Sequence, residues 1–255
     1  MKYAIIGVEG PHDQAFTGKV LKLLGLKNFG EELKGLESQL DPFWRKFIPV
    51  YPKKGNLYKR LDMPSLLFND TISVAIYAGE GSNLVTNLDD ILFANSEYQT
   101  NLAAFGIVAD CDKSTPDRIV EPYANKFRSY FPNFPQSPGV EDTNSTRTGI
   151  YVLPNNQQQG VLDTLVCECG KIAYPDYMER ARSYLDKFSE EEKKILKLKN
   201  FDLDKALVAT VVSVLKPGLT NTASIAQNDW VSKQTQKVPA LEKFIDFLRD
   251  LLELS

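Results

Sequence analysis

Four short apolar runs, each closed by a turn signal, constrain the fold of this chain more than any other feature of its sequence. They show little polar alternation and are YAIIGV (3–8), TISVAIYA (71–78), LAAFGIVAD (102–110) and GIYVLP (149–154). Strands without alternation are typical of a sheet that is covered on both faces. Because helical patterns separate the runs, the sequence predicts an α/β fold with a mainly parallel sheet and helices on both faces.

The segments between these runs carry apolar residues at spacings of three and four, which indicates amphipathic helices. We expect one helix from about 13 to 24 and a second through residues 84–93. A third helix is expected from 116 to about 130, because proline and aspartate both favour a first helical turn. A fourth should pass through residues 161–166.

Two stretches interrupt this alternation, and the last third of the chain abandons it. Residues 25–70 are rich in Gly, Pro and charged side chains and are interpreted as an insertion, whereas residues 132–148 are interpreted as a loop. From about Tyr174 onward only helical patterns remain. We therefore expect a core over residues 1–173 and a helical subdomain over 174–255 that packs on it.

Composition excludes several classes of protein. The 255 residues include 30 basic and 33 acidic side chains, so a strongly basic protein that coats nucleic acid is excluded. No run approaches the roughly 20 apolar residues of a membrane span, and the N-terminal run is too short for a signal peptide. We expect a cytoplasmic protein without a membrane partner. Three cysteines and the single His12 argue against both a disulfide framework and a structural zinc site.

Acidic residues stand where the expected strands end. Glu9 follows the first run, and Asp110 and Asp112 follow the third with Cys111 between them. Parallel strands place their carboxyl ends at one edge of the sheet, where such folds bind ligands. Crowded carboxylates favour either raised pKa values or a bound hard cation such as Mg²⁺.

The pattern V8-E9-G10-x-x-D13-x-x-F16, followed by I107-V108-A109-D110-C111-D112, resembles the Toprim domain. This catalytic core occurs in topoisomerases, bacterial-type primases, OLD-family nucleases and small nucleases that mature ribosomal RNA. The resemblance covers about residues 3–168 and is strongest to stand-alone prokaryotic Toprim proteins related to OLD-family nucleases.

The resemblance implies a role for each acid. Glu9 would act as general acid/base or help to hold the metal, and Asp110 and Asp112 would bind Mg²⁺ or Mn²⁺. Asp13 would lie beside the site as a supporting residue. Asp163, which follows the fourth run, would complete the metal ligands.

Each acid also has a structural alternative. Glu9 could end a strand in a turn, and Asp13 could be a helix N-cap. Asp112 could start a turn, and Asp163 could be an exposed helix position.

Basic residues are candidates for nucleic-acid or phosphate contacts. Lys113 and Arg118 follow the D-x-D pair closely, and Lys53 and Lys54 belong to the basic segment PKKGNLYKR (52–60). The alternative for the segment is an ordinary solvated surface.

The resemblance implies Mg²⁺-dependent hydrolysis of DNA or RNA, because the chain has no room for the strand-gating domains of a topoisomerase and no zinc module of a primase. The alternative is a non-catalytic or partner-activated module that binds nucleic acid or nucleotide. The chain has no P-loop, so any ATPase would be a separate partner chain. A third interpretation, metal-free binding of a phosphorylated ligand, would need a longer glycine-rich loop than G79-E-G81.

Overall fold

The structure of the protein, a computed structural model, describes residues 1–28, 42–46, 64–142 and 145–254. Within these ranges one sheet contains the strands β1 (Lys2–Val8), β2 (Lys27–Asn28), β3 (Ser65–Phe68), β4 (Ile72–Ala78), β5 (Ala104–Asp110), β6 (Gly139–Glu141) and β7 (Arg147–Leu153). Their order is β2-β3-β4-β1-β5-β7-β6. The four strands expected from the sequence are β4, β1, β5 and β7, which are adjacent and parallel. The predicted α/β fold is confirmed.

Helices occupy most of the remaining described chain. They are α1 (Pro11–Leu23), α2 (Leu84–Ala94), α3 (Ser96–Asn101), α4 (Pro116–Phe127), α5 (Leu162–Ala173), α6 (Pro175–Leu185), α7 (Glu190–Ile195), α8 (Asp202–Leu215), α9 (Asn221–Gln227) and α10 (Pro239–Leu252). The helices α1, α4, α6 and α10 each begin at a proline, whose missing N–H costs nothing in a first turn.

Strand β1 shows why the apolar runs lack alternation. Its residues from Ala4 to Val8 are all buried. Ala4, Ile6 and Val8 belong to one hydrophobic cluster, whereas Ile5 belongs to another. Because successive strand side chains point to opposite faces, the sheet has an apolar core on each side.

Each face of the sheet is covered by its own set of helices. The helices α1, α5, α6, α8, α9 and α10 contribute to the first cluster. The helices α2, α3 and α4 contribute to the second, together with Phe43 and Trp44. The predicted covering of both faces by helices is therefore confirmed.

The C-terminal helix α10 packs directly on the sheet. A side chain at Gly106 would meet Leu251, and one at Gly149 would come within 2.9 Å of Phe247. The two glycines thus let the helix approach β5 and β7 closely. Because α10 shares the cluster of α1 and β1, the last third of the chain and the sheet have a common core. The boundary between 1–173 and 174–255 stays a prediction.

The interpretation of residues 132–148 as a loop was wrong in part, whereas that of residues 25–70 as an insertion stays a prediction. The segment 132–148 contains β6, and the segment 25–70 contains β2 and β3. These short antiparallel strands extend the sheet on both sides of the parallel strands. Trp44 from the second segment is buried and donates a hydrogen bond to Ser73 at 2.8 Å. Strands of two to four residues are too short to show a period, which is why the sequence pattern missed them.

None of the described helices is long and apolar enough to cross a bilayer.

Candidate functional site

Glu9 and Asp110 meet at the carboxyl edge of the sheet. Glu9 directly follows β1 and Asp110 ends β5, and these strands are parallel neighbours with Val8 opposite Val108. The backbone N–H of Asp110 donates a hydrogen bond to Oε1 of Glu9 at 3.0 Å. Burial raises the pKa of Glu9, this hydrogen bond lowers it, and the nearby charge of Asp112 raises it again.

Asp110 joins this edge of the sheet to helix α5. Its Oδ1 accepts a hydrogen bond at 2.8 Å from the backbone N–H of Leu162, the first residue of α5. That amide has no partner within the helix, so the carboxylate caps it. Burial raises the pKa of Asp110 strongly, and the charges of Asp13 and Glu9 raise it further. These costs outweigh the capping interaction, so the carboxyl favours its protonated form.

Asp13 is buried and interacts electrostatically with both of these acids. It is the third residue of α1, and its Oδ2 accepts a hydrogen bond from the N–H of Gly10 at 2.9 Å. The N-cap alternative was therefore wrong in position, because Gly10 is the N-cap and Asp13 closes the turn from inside the helix. Burial raises the pKa of Asp13, and the charge of Glu9 adds to the effect.

Asp112 lies at the rim of the cluster. Its side chain is exposed, and its backbone adopts a left-handed conformation with φ of 50°. The N–H of Asp112 donates to the carbonyl of Gly160 at 2.8 Å, and the N–H of Gly160 donates back at 3.2 Å. This bridge fixes the backbone of Asp112 against the segment that leads into α5.

Asp163 belongs to the same neighbourhood. It is the second residue of α5 and is buried, so the alternative of an exposed helix position was wrong. Burial raises the pKa of Asp163, whereas electrostatic interaction with His12 and Lys205 lowers it. Its own charge contributes to the raised pKa of Asp13.

Two of the four candidate phosphate contacts lie among the described residues, and both are exposed. Lys113 and Arg118 are exposed beside Asp112 and in the first turn of α4. The carbonyl of Lys113 accepts a hydrogen bond from Nε2 of Gln159 at 2.8 Å, which ties this loop to the segment before α5. Lys53 and Lys54 lie outside the described residues.

Two residues of the site were missed by sequence reasoning. Lys205, near the start of α8, lowers the pKa of both Glu9 and Asp163 through its positive charge. Burial of Tyr123 in α4 raises its phenol pKa, and the charges of Glu9 and Asp110 raise it further. Both belong to amphipathic helices. That pattern predicts which face of a helix is buried, but it does not indicate which residues lie near a functional site.

The carboxylates are the donor type that a hard divalent cation prefers, and their mutual repulsion would be relieved by one. In the described part of the chain, however, no group of three or more His, Cys, Asp or Glu side chains is arranged to hold a metal ion. One oxygen of Glu9 and one of Asp110 are instead engaged by backbone amides. The donor chemistry fits the metal, whereas the described residues do not form a three-residue metal site in this arrangement.

A solved structure with a similar fold is the hypothetical protein PH0156 from Pyrococcus horikoshii OT3. The two are 15% identical with a TM-score of 0.50, and the match covers 99% of this chain and 96% of the other. At this identity the likeness concerns the fold alone. No curated protein matches the chain.

One family model matches almost the entire sequence. The model describes a protein of unknown function, DUF3226, and the match extends over residues 3–253. This chain therefore belongs to the DUF3226 family.

Proposed function

We propose that the protein hydrolyses phosphodiester bonds in DNA or RNA at the carboxyl edge of the sheet, as its resemblance to Toprim nucleases implies. The observation that carries this proposal is the contact between Glu9 and the Asp110 amide at the ends of neighbouring strands. Asp13 and Asp163 are buried beside them, and burial raises the pKa of both. Carboxyls with raised pKa values in such a position are typical of acid/base sites.

Glu9 is the residue suited to handle the proton. Its raised pKa makes its carboxylate a better base than an exposed glutamate. In the proposed step a water oxygen bonds to phosphorus, the water proton passes to Glu9, and the bond to the leaving oxygen breaks. The same carboxyl can then return the proton to that leaving oxygen.

The other acids would hold the metal. Mg²⁺ or Mn²⁺ bound by Glu9, Asp110 and Asp112, with Asp163 as a further ligand, would polarise the phosphoryl oxygen and offset the charge that develops on it. Asp13 supports the set from within α1. Lys205, Lys113 and Arg118 would be the cations that meet the phosphate.

A second candidate function is a non-catalytic or partner-activated module that binds nucleic acid or nucleotide. The arrangement of the acids favours it, because the described residues form no ready metal site and two carboxylates are held by backbone amides. A separate protein, such as an ATPase chain, would then reorganise the cluster on binding.

We place this activity in the cytoplasm. All three cysteines are free and buried, as expected in a reducing compartment.

The test is a Mg²⁺ and Mn²⁺ titration of cleavage with single-stranded and duplex DNA and RNA. We expect metal-dependent cleavage that EDTA abolishes. Glu9→Gln should lower the rate by about 10²–10⁴-fold, because an amide cannot accept the proton. Asp110→Asn and Asp112→Asn should lower it by orders of magnitude, since each removes a charge that would face the metal.

The matched control is Asp117→Asn. Asp117 is an exposed acid in the first turn of α4, close to the same edge of the sheet, and it should leave the rate unchanged. Cleavage that persists in Glu9→Gln would contradict the proposal. A metal-dependent rise in melting temperature without any cleavage would support the partner-activated module instead.

A further inference from the structure

Within the described residues, most of the large apolar side chains that remain exposed lie between Ile172 and Val214. Two of them are tyrosines of α6, Tyr177 at 41% and Tyr184 at 53% exposure, and Val214 of α8 is 60% exposed. Single exposed apolar residues are ordinary, but a concentration of them in one part of a surface indicates an interaction site.

These three side chains line a common groove. It is an open groove between α6 and α8 with a volume of about 230 Å³, and Arg180 and Thr210 also line it. Residues 177, 180 and 184 are spaced by three and four, so they form one stripe along α6. The stripe presents a guanidinium between two aromatic rings.

The charge of the groove has one sign. Among the described residues that line it, Arg180 is the only charged one, and none of them is a carboxylate. Arg180 also forms no ion pair with any described residue. An unpaired guanidinium beside exposed aromatic faces complements a ligand that carries both an anion and flat apolar rings.

We propose that this groove binds single-stranded nucleic acid, with bases stacked on Tyr177 and Tyr184 and a backbone phosphate paired with Arg180. Tyrosine rings stack on any base, and a guanidinium pairs with phosphate in a fixed, forked geometry. A duplex keeps its bases stacked on one another, so it cannot use the two rings in this way. The groove therefore selects unpaired strands.

The inference deepens the proposed function and rests on it for its biological meaning. Helix α8 brings Lys205 near the acidic cluster at one end and Val214 to the groove nine residues later, which is about 14 Å along the helix axis. Nine residues of helix also rotate Val214 by about 180° from Lys205, so a strand held in the groove would pass around α8 to reach the cluster.

The test measures binding apart from cleavage. The full-length protein in EDTA is titrated into fluorescein-labelled 12-mers of oligo(dT) and oligo(U) and into a duplex of equal length, with fluorescence polarisation as the readout. We expect both single strands to bind more tightly than the duplex. Tyr177→Ala and Tyr184→Ala should each weaken single-strand binding by at least about fivefold.

The role of Arg180 has its own measurement. Arg180→Gln should reduce the slope of log affinity against log salt by about 0.7, because one phosphate contact is lost. The matched controls are Phe93→Ala, an exposed aromatic residue of α2, and Arg249→Gln, an exposed cation of α10. Both should bind like wild type. All five variants change exposed side chains, so circular dichroism should show an unchanged fold.

Several outcomes would overturn the inference. It falls if wild type binds no single strand, if duplex binds equally well, or if the tyrosine variants bind like wild type. It also falls if these variants instead dissociate a dimer in light scattering, since the groove would then join two copies of the chain. Cleavage without groove-dependent binding would leave the nuclease proposal intact. Groove-dependent binding without cleavage under any metal would support the binding groove and contradict the nuclease proposal.

Discussion

Asp110 has two roles that make opposite demands on its charge. As an acceptor for the first amide of α5, its carboxylate stabilises the start of that helix. As a buried acid beside Asp13 and Glu9, the same carboxylate is destabilised by desolvation and repulsion. The raised pKa of Asp110 shows that the second effect is the larger one. The side chain therefore stabilises the fold best when it is neutral and still accepts the hydrogen bond.

Asp110→Asn should accordingly stabilise the metal-free protein. The asparagine Oδ1 can keep the bond from Leu162, while the residue can no longer carry a charge. We expect the free energy of unfolding in EDTA at pH 8 to rise by at least about 1 kcal/mol, the value of roughly one pKa unit. Urea denaturation of both proteins measures this. A destabilised variant would show that the charge itself is needed to cap α5.

The same residue predicts how stability depends on pH. A folded-state pKa above the usual aspartate value of about 3.9 keeps the proton on the native protein after the unfolded chain has lost it. Asp110 therefore does not lower the free energy of unfolding below about pH 4, where both states carry the proton. The free energy of unfolding falls as the pH rises towards the folded-state pKa. Wild type in EDTA should lose stability between pH 5 and 8, and Asp110→Asn should lose less. Equal slopes for the two proteins would contradict this.

At the scale of elements, the close packing of α10 on the sheet depends on Gly106 and Gly149, and Gly149 can be compared with a glycine that has more space around it. A Cβ at Gly149 would lie 2.9 Å from Phe247 and 3.2 Å from the carbonyl of Gly139, so both the helix and the edge strand β6 would have to move. At Gly18 of α1, by contrast, the nearest atom would be 3.6 Å away on Ile76, an ordinary contact. Alanine substitutions at Gly149 and Gly18 therefore distinguish the cost of close packing from the cost of replacing a glycine as such.

Gly149→Ala should therefore destabilise the protein by about 1–3 kcal/mol, the usual cost of overpacking. Gly18→Ala should be neutral or stabilising by up to about 1 kcal/mol, because alanine favours a helix interior. Chemical denaturation of both variants in the same buffer provides the comparison. A neutral Gly149→Ala would show that α10 can shift away from β7 at no cost.

At the scale of the whole molecule, the acidic cluster joins elements that are distant in the sequence. Its acids come from the ends of β1 and β5 and from the first turns of α1 and α5, and α8 adds Lys205. Repulsion among these carboxylates destabilises the folded protein, and the other interactions of the fold must offset it. A cation that binds only the folded protein would relieve this repulsion and raise the stability of every element at once.

Mg²⁺ at millimolar concentration should thus raise the melting temperature of wild type. The same salt should have little effect on Asp110→Asn, which lacks one of the charges that attract the ion. The measurement is calorimetry with and without EDTA at constant ionic strength, and Asp117→Asn serves as the control that should respond like wild type. An equal rise in Asp110→Asn would place the ion elsewhere.

The sequence alone determined the α/β architecture and the main strands. Burial of both sheet faces makes β1, β4, β5 and β7 apolar without alternation, and this is a local property that each run displays by itself. The short antiparallel strands β2, β3 and β6 show no such period, because their pairing depends on the neighbouring strand rather than on their own residues. The positions of Glu9 and Asp110 at strand ends could also be read from the sequence.

The tertiary structure decided how the acids meet. Strand order made β1 and β5 neighbours, and only then could Glu9 accept the amide of Asp110 and Asp110 the amide of Leu162. Packing of the helices placed Lys205 and Tyr123 beside them, although each belongs to an ordinary amphipathic pattern. Electrostatic interactions depend on distance and burial in space, and neither is a property of separation along the chain. The periodicity of a segment is a property of its own sequence, whereas the chemistry of this site depends on the contacts between segments.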